Sequence, residues 1–340
     1  MEFQLNSGSG SLASRSVFRS VCRDDIEALL AVVAGRVADP AAGLFGPASV
    51  SWKVNREAAL FLGAGRAALL QLAHPWVAES LARHSTLMRR PIARFHGTFR
   101  IVFTMIFGSL DQALAAARYL HTLHTRIRGT LPEDVAGYKR GSHYEANEIS
   151  ALRWVYATLV ESAVVAYECV LPPLTAAERE RYYAESKTMA ALFGIPSAAL
   201  PGDWDAFLAY NRQMHESNAL GVSPGARRMA QGLLRGAGSW IRPPHWYRAV
   251  TAAWLPARFR DEFALEFGEA DQRAAERALH RLPGLYRRLP QPVRFAGPWQ
   301  EAQARLARRP VSAAARWSNR FWIGQPLLPF RSAEENSLRA

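Results

Sequence analysis

Two cysteines in 340 residues, Cys22 and Cys169, are too few and too far apart for a disulfide framework or a C-x-x-C metal site. Chains poor in cysteine belong most naturally to a reducing compartment, so a cytoplasmic setting is expected. Lysine is nearly absent as well: of 42 basic residues, only Lys53, Lys139 and Lys187 are not arginine. No stretch alternates β-branched and polar residues between turn signals, which argues against a sandwich or barrel. Every long apolar run is broken by charge or proline, and the first eighteen residues carry no apolar secretory core. Helix-turn-helix and zinc-finger patterns are missing too, so nucleic acid is not an expected partner.

What is present is a chain long enough for one large core or two ordinary ones, 49% hydrophobic, with a formal charge of +13. The excess is uneven, since residues 226–340 hold 20 arginines against 9 acidic residues. A solvated basic exterior is the simpler reading, and peripheral contact with a membrane stays open.

Residues 1–20 are rich in Ser and Gly and read as a disordered lead-in. Helical periodicity then dominates. Residues 24–37 start with two aspartates where the helix dipole favours them, and a second helix is expected from Asn55 to His74. Asp111 to Arg128 ends at Gly129, and Thr175 to Phe193 opens with a Thr-x-x-Glu capping box. The longest periodic stretch is SALRWVYATLVESAVVAYECVLPPL, residues 150–174. In it Tyr156, Leu159, Val160, Ala163, Ala166 and Tyr167 recur at three- and four-residue steps and share one helix face. Pro172 and Pro173 would end this helix, and Arg153, Glu161 and Glu168 mark it as buried in protein and not in a bilayer. The expectation is an all-α fold: residues 21–235 as one multi-helix domain, and 236–340 as a basic helical part on the same core.

Several residue patterns invite chemistry. Gly63-Ala-Gly65-Arg-Ala-Ala68 imitates a dinucleotide fingerprint, but the EAALFL before it is helical where that motif needs a strand, so the glycines are assigned to close packing. Arg94 and Thr98 stand four apart on a helix face and could hold a carboxylate or polarise an oxygen species. His121 and His124, at i and i+3, can offer two imidazoles to one side, although no further ligand completes a metal set by spacing.

These patterns occur in a fixed order: GAGRAALLQLAHPWVAESLARHS at 63–85, RFHGT at 94–98, HTRIRG at 124–129 and HYEANEISALRWVYATLVESAVVAYE at 143–168. ERYYAESKTMAALFGIP at 180–196 and LPGDWDAFLAYNRQM at 200–214 follow. Together, over roughly residues 50–235 and weakly into the helical C-terminal part, they resemble the catalytic domain shared by bacterial rubber oxygenase (latex-clearing protein) and the endoplasmic-reticulum-bound oxygenase MpaB. The resemblance implies an all-helical fold around haem b and an oxygenase acting on a hydrophobic, prenyl- or lipid-like small molecule. It also implies that Arg94 and Thr98 are catalytic, orienting a propionate or bound oxygen. The family's W-V-x-A-T-L histidine corresponds to Tyr156 here, which makes that phenol the expected metal ligand, with phenolate ligation of haem as precedent. His74, His121 and His124 are the alternatives, and Arg66 joins the cofactor-binding set. The R-x-x-K-T element has Gly97 in the lysine's place, which would open the distal face. The alternative function is a lipid- or isoprenoid-binding protein on the same scaffold that has lost haem ligation.

Overall fold

The computed structural model describes residues 19–239 and 242–330. The expected N-terminal lead-in therefore lies almost wholly outside the described residues. What is seen of it, Arg19 and Ser20, is pinned against residues 148–149, with Val21 N–H donating to Asn147 O at 2.9 Å.

Sixteen α-helices and one two-stranded ribbon make up the regular structure of the described residues. In order they are α1 (Arg23–Ala34), α2 (Val50–Asn55), a 3-10 segment (Ala58–Leu62), α3 (Ala64–Leu72), α4 (Pro75–His84), α5 (Pro91–Phe107) and α6 (Leu110–His124). The antiparallel strands β1 (Arg128–Thr130) and β2 (His143–Glu145) precede α7 (Ile149–Val170) and α8 (Ala176–Leu192). After them come α9 (Trp204–Glu216), α10 (Pro224–Arg235), α11 (His245–Ala253), α12 (Ala257–Glu262), α13 (Glu269–Arg287), α14 (Gln291–Arg294), α15 (Gly297–Leu306) and α16 (Ala313–Ile323). The fold is all-α.

The axis of the fold is α7. Its long apolar stripe is buried from Ile149 to Val170 against α3, α13 and the 3-10 segment. Of the helices in the described residues it alone is long and apolar enough to cross a membrane, and most of its length is buried inside the protein. It stops at Val170, before Pro172 and Pro173, as the missing proline N–H groups require. The α8 capping box forms as its spacing suggests, with Glu178 N–H donating to Thr175 Oγ1 at 3.2 Å and Thr175 N–H donating to Glu178 Oε2 at 3.0 Å.

Three expectations need correction; first, the helix expected from Asp111 to Arg128 stops at His124, and Arg128 and Gly129 belong to β1. The helix anticipated from Asn55 to His74 is broken into the 3-10 segment and α3, with the joint at Gly63. The cause is a helix crossing: a Cβ on Gly63 would sit 2.5 Å from Ser162 O and 3.2 Å from Ala166 Cβ on α7. The β1–β2 ribbon was not foreseen, because three residues per strand are too few to show a period of two. It closes where Gly129 lies under the Tyr144 ring, 2.6 Å from the phenol oxygen to a notional Cβ.

The crossing makes a direct prediction. Gly63→Ala should cost about 1–3 kcal/mol through overpacking against the α7 backbone. Gly97→Ala on α5, where a Cβ meets nothing within 4 Å, should gain about 0.5–1 kcal/mol of helix propensity. Urea-unfolding midpoints of the two variants would then move in opposite directions. Equal shifts would remove close approach as the reason for the glycine.

The C-terminal helices wrap the same core. The α11–α13 pair rests on α7 through α13, and the α15–α16 pair rests on α5 through α16. Polar clasps hold these layers: Arg66 on α3 reaches Glu161 (2.7 Å), Ser162 Oγ (2.8 Å) and Trp254 O (3.2 Å).

Candidate active site

The site is built on the antiparallel α5–α6 hairpin, whose tight packing is set by a two-residue connection. Gly108 ends α5, and Ser109 caps α6 with a reciprocal Ser109–Gln112 box. Along α5, Phe95, Phe99, Phe103 and Phe107 stack one turn apart at 4.5, 5.4 and 5.8 Å between ring centroids, and Phe61 and Trp322 join this apolar face. A neighbouring strip of the same helix is polar: Arg94, Gly97 and Thr98 follow at helical spacing, and the Thr98 hydroxyl donates to Arg94 O at 3.1 Å.

Arg94 carries the unusual electrostatics. Burial pulls its guanidinium pKa below the ordinary arginine value, and among the described residues it has no ion-pair or hydrogen-bond partner. Its side chain is partly buried and its nitrogens are not sealed from solvent, so an anion from outside the chain can reach it. His124, the last residue of α6, lies close enough to feel the Arg94 charge. Desolvation first, then the Arg94 charge, lowers the His124 pKa to about 4, against a weaker upward pull from Asn147. At neutral pH its ring is therefore uncharged. Asn147, buried just before α7, donates to His121 O at 3.2 Å and ties the end of α6 to the start of α7. Nothing in the sequence pattern singled it out.

The other expected site residues fall elsewhere. Tyr156 is fully buried between α7 and α8, and its hydroxyl lies 2.6 Å from Ser186 Oγ. Ser186 already donates its hydrogen to Tyr183 O at 2.7 Å, so Tyr156 is the donor and is a neutral phenol. Burial raises its pKa above the ordinary tyrosine value. Arg153, expected to help ionise it, instead donates to Ala199 O and lies over the Tyr210 ring. The structure thus gives Tyr156 a packed, hydrogen-bonded place where the sequence suggested a metal ligand. Arg66 is wholly engaged in its α3–α7–α11 clasp, and His121 Nε2 is 3.0 Å from Val21 O, anchoring the N-terminal segment. His74 is buried beside Trp76 and Tyr138. Its Nδ1 has no partner, and burial lowers its pKa to about 4.

Among the described residues no three His, Cys, Asp or Glu side chains cluster to hold a bare metal ion. A porphyrin supplies four of its own nitrogen ligands, so it asks the protein for one axial base and a counter-charge for its carboxylates. Neutral His124 and Arg94 can meet those two demands, and a Cβ on Gly97, one turn along α5 from Arg94, would meet nothing within 4 Å.

Comparison with protein families then decides the kinship. The family described as ER-bound oxygenase mpaB/B'/Rubber oxygenase, catalytic domain, matches residues 52–287. The chain belongs to this family. The match to the oxygenase domain starts in α2 and runs through α13, taking in the 50–235 of the motif resemblance and part of the helical C-terminal stretch where that resemblance is weaker. It includes the whole α5–α6 hairpin and all of α7. A search of curated proteins and a search of solved structures each gave no match.

Proposed function

We propose that this protein is a haem-dependent oxygenase acting on a hydrophobic, prenyl- or lipid-like substrate, with the cofactor held at the α5–α6 hairpin. The observation that carries the reading is a partly buried Arg94, without an ion-pair partner among the described residues, whose charge acts on a neutral His124 at the same end of the α5–α6 hairpin. His124 would hold the iron of the haem and Arg94 would pair with one of its carboxylates. When bound, haem would supply the site for activating dioxygen. The chain's own contribution is to keep His124 unprotonated through burial, to place a fixed cation nearby, and to offer an apolar surface. Thr98, whose hydroxyl donates to its own helix, is left with lone pairs to accept a hydrogen bond from a ligand. Gly97 keeps the strip open where a side chain would narrow it.

The test is a haem titration of the purified full-length protein followed by absorption. A saturable Soret band, distinct from that of free haem, is the expected result. A protein that stays colourless in excess haem, yet copurifies with lipid, would replace this reading by a lipid-binding scaffold.

A further inference from the structure

We infer that the α14–α16 face is a docking surface for an anionic lipid bilayer. On α16 the buried side is formed by Ala315, Ser318, Asn319 and Ile323, while Trp317 and Phe321 project outward, 69% and 53% exposed. Their rings lie nearly parallel with centroids 6.4 Å apart. The short helix α14 packs on α16, and on it Val293 is 58% exposed, with Leu289 before it 40% exposed. Four large apolar side chains held out to water on adjoining helices are more than scattered surface exposure.

The charge pattern selects the partner. Residues 281–323 contain nine arginines and one acidic residue, Glu301. That carboxylate is buried and accepts from Asn319 Nδ2 at 2.7 Å, so it does not reach the surface. Arg288, Arg308, Arg309 and Arg320 are exposed, and none is in an ion pair among the described residues. Aromatic and aliphatic side chains rimmed by unpaired arginines match the boundary between acyl chains and anionic headgroups. Single-stranded nucleic acid could use the arginines and the two rings, but Leu289 and Val293 offer no face for base stacking, so the bilayer is the better fit.

The surface is mechanically coupled to the α5 hairpin. Phe321 O lies 3.0 Å from His96 Nε2, Ile323 O accepts twice from Arg100, and Trp322 stacks on Phe61 at 3.6 Å. The docking claim does not depend on haem and stands or falls separately from it.

The experiment is co-sedimentation of the full-length protein with phosphatidylcholine vesicles, with and without phosphatidylglycerol. Binding to the anionic vesicles only, weakening as salt rises, is expected. The Trp317→Ala/Phe321→Ala variant should lower the partition coefficient about tenfold or more, with its thermal midpoint little changed because both side chains are more than half exposed. Leu289→Ser/Val293→Ser is the second pair, should the first misfold. Neutralising Arg308, Arg309 and Arg320 to Gln should cost about fivefold each. No sedimentation with anionic vesicles, or full affinity in both apolar double variants, would overturn the proposal. Tighter binding to single-stranded RNA than to vesicles would do the same.

Discussion

His124→Ala is expected to abolish retention of added haem, leaving only the spectrum of free haem, whereas Tyr156→Phe should keep the shifted Soret band. The difference follows from protons. With a pKa of about 4 the His124 imidazole is already deprotonated at pH 7, so coordination displaces nothing. A phenol with an ordinary pKa near 10 needs about 4 kcal/mol to ionise at pH 7, and burial adds to this at Tyr156. No cation stands beside it to offset the cost, because Arg153 is directed to Ala199 O and Tyr210. Breaking its hydrogen bond to Ser186 would cost about 1 kcal/mol more. The pH sign is also fixed. A histidine ligand loses its metal as pH falls toward its pKa, so haem binding should be flat from neutral pH down to about 5 and fail only in stronger acid. A Soret band that survives His124→Ala and disappears in Tyr156→Phe would return the iron to the α7–α8 interface.

How these two residues were weighed from sequence shows where such reading stops. Tyr156 drew attention as a hydroxyl in an apolar stripe, and the stripe is real. Its partner, Ser186, lies thirty positions away on α8, and nothing in α7 signals it. Arg94 and Thr98 were visible as an i, i+4 pair, and His124 as half of an H-x-x-H. That Arg94 meets His124 was within reach of chain geometry. Arg94 lies fourteen residues before Gly108 (108 − 94 = 14), and His124 lies fifteen after Ser109 (124 − 109 = 15). Two antiparallel helices joined by those two residues bring the positions to one level. The helical class, the end of α7 and the α8 cap were legible because periodicity, proline and capping chemistry act locally. The break at Gly63 and the β1–β2 ribbon were not, since each is imposed by a neighbour remote in sequence: Ser162 in one case and Tyr144 in the other.

Arg294→Ala should be the most destabilising single change in the C-terminal helices, with a loss of about 3–5 kcal/mol. Its guanidinium forks onto Glu57, with Nε 2.7 Å from Oε2 and Nη2 2.9 Å from Oε1. Glu57 is 1% exposed, and its remaining contacts are the Tyr286 hydroxyl at 2.9 Å and the more distant Arg56 at 3.5 Å. Without Arg294 a carboxylate stays in the interior with a single phenol as close donor. Such a group must either be re-solvated by local opening or take up a proton, and both subtract from folding free energy. The same clasp joins the start of the 3-10 segment to α13 and α14, so its loss should also loosen the layer on which Phe295 stacks. Replacing both partners distinguishes the cost of an orphaned charge from the worth of the pair. Glu57→Leu/Arg294→Met should recover most of the lost stability, because burying apolar groups of similar volume is often neutral or better. Urea unfolding of the single and double variants gives the two numbers. If Arg294→Ala loses less than about 1 kcal/mol, or the double variant is worse than the single, then the buried carboxylate is not what makes Arg294 indispensable.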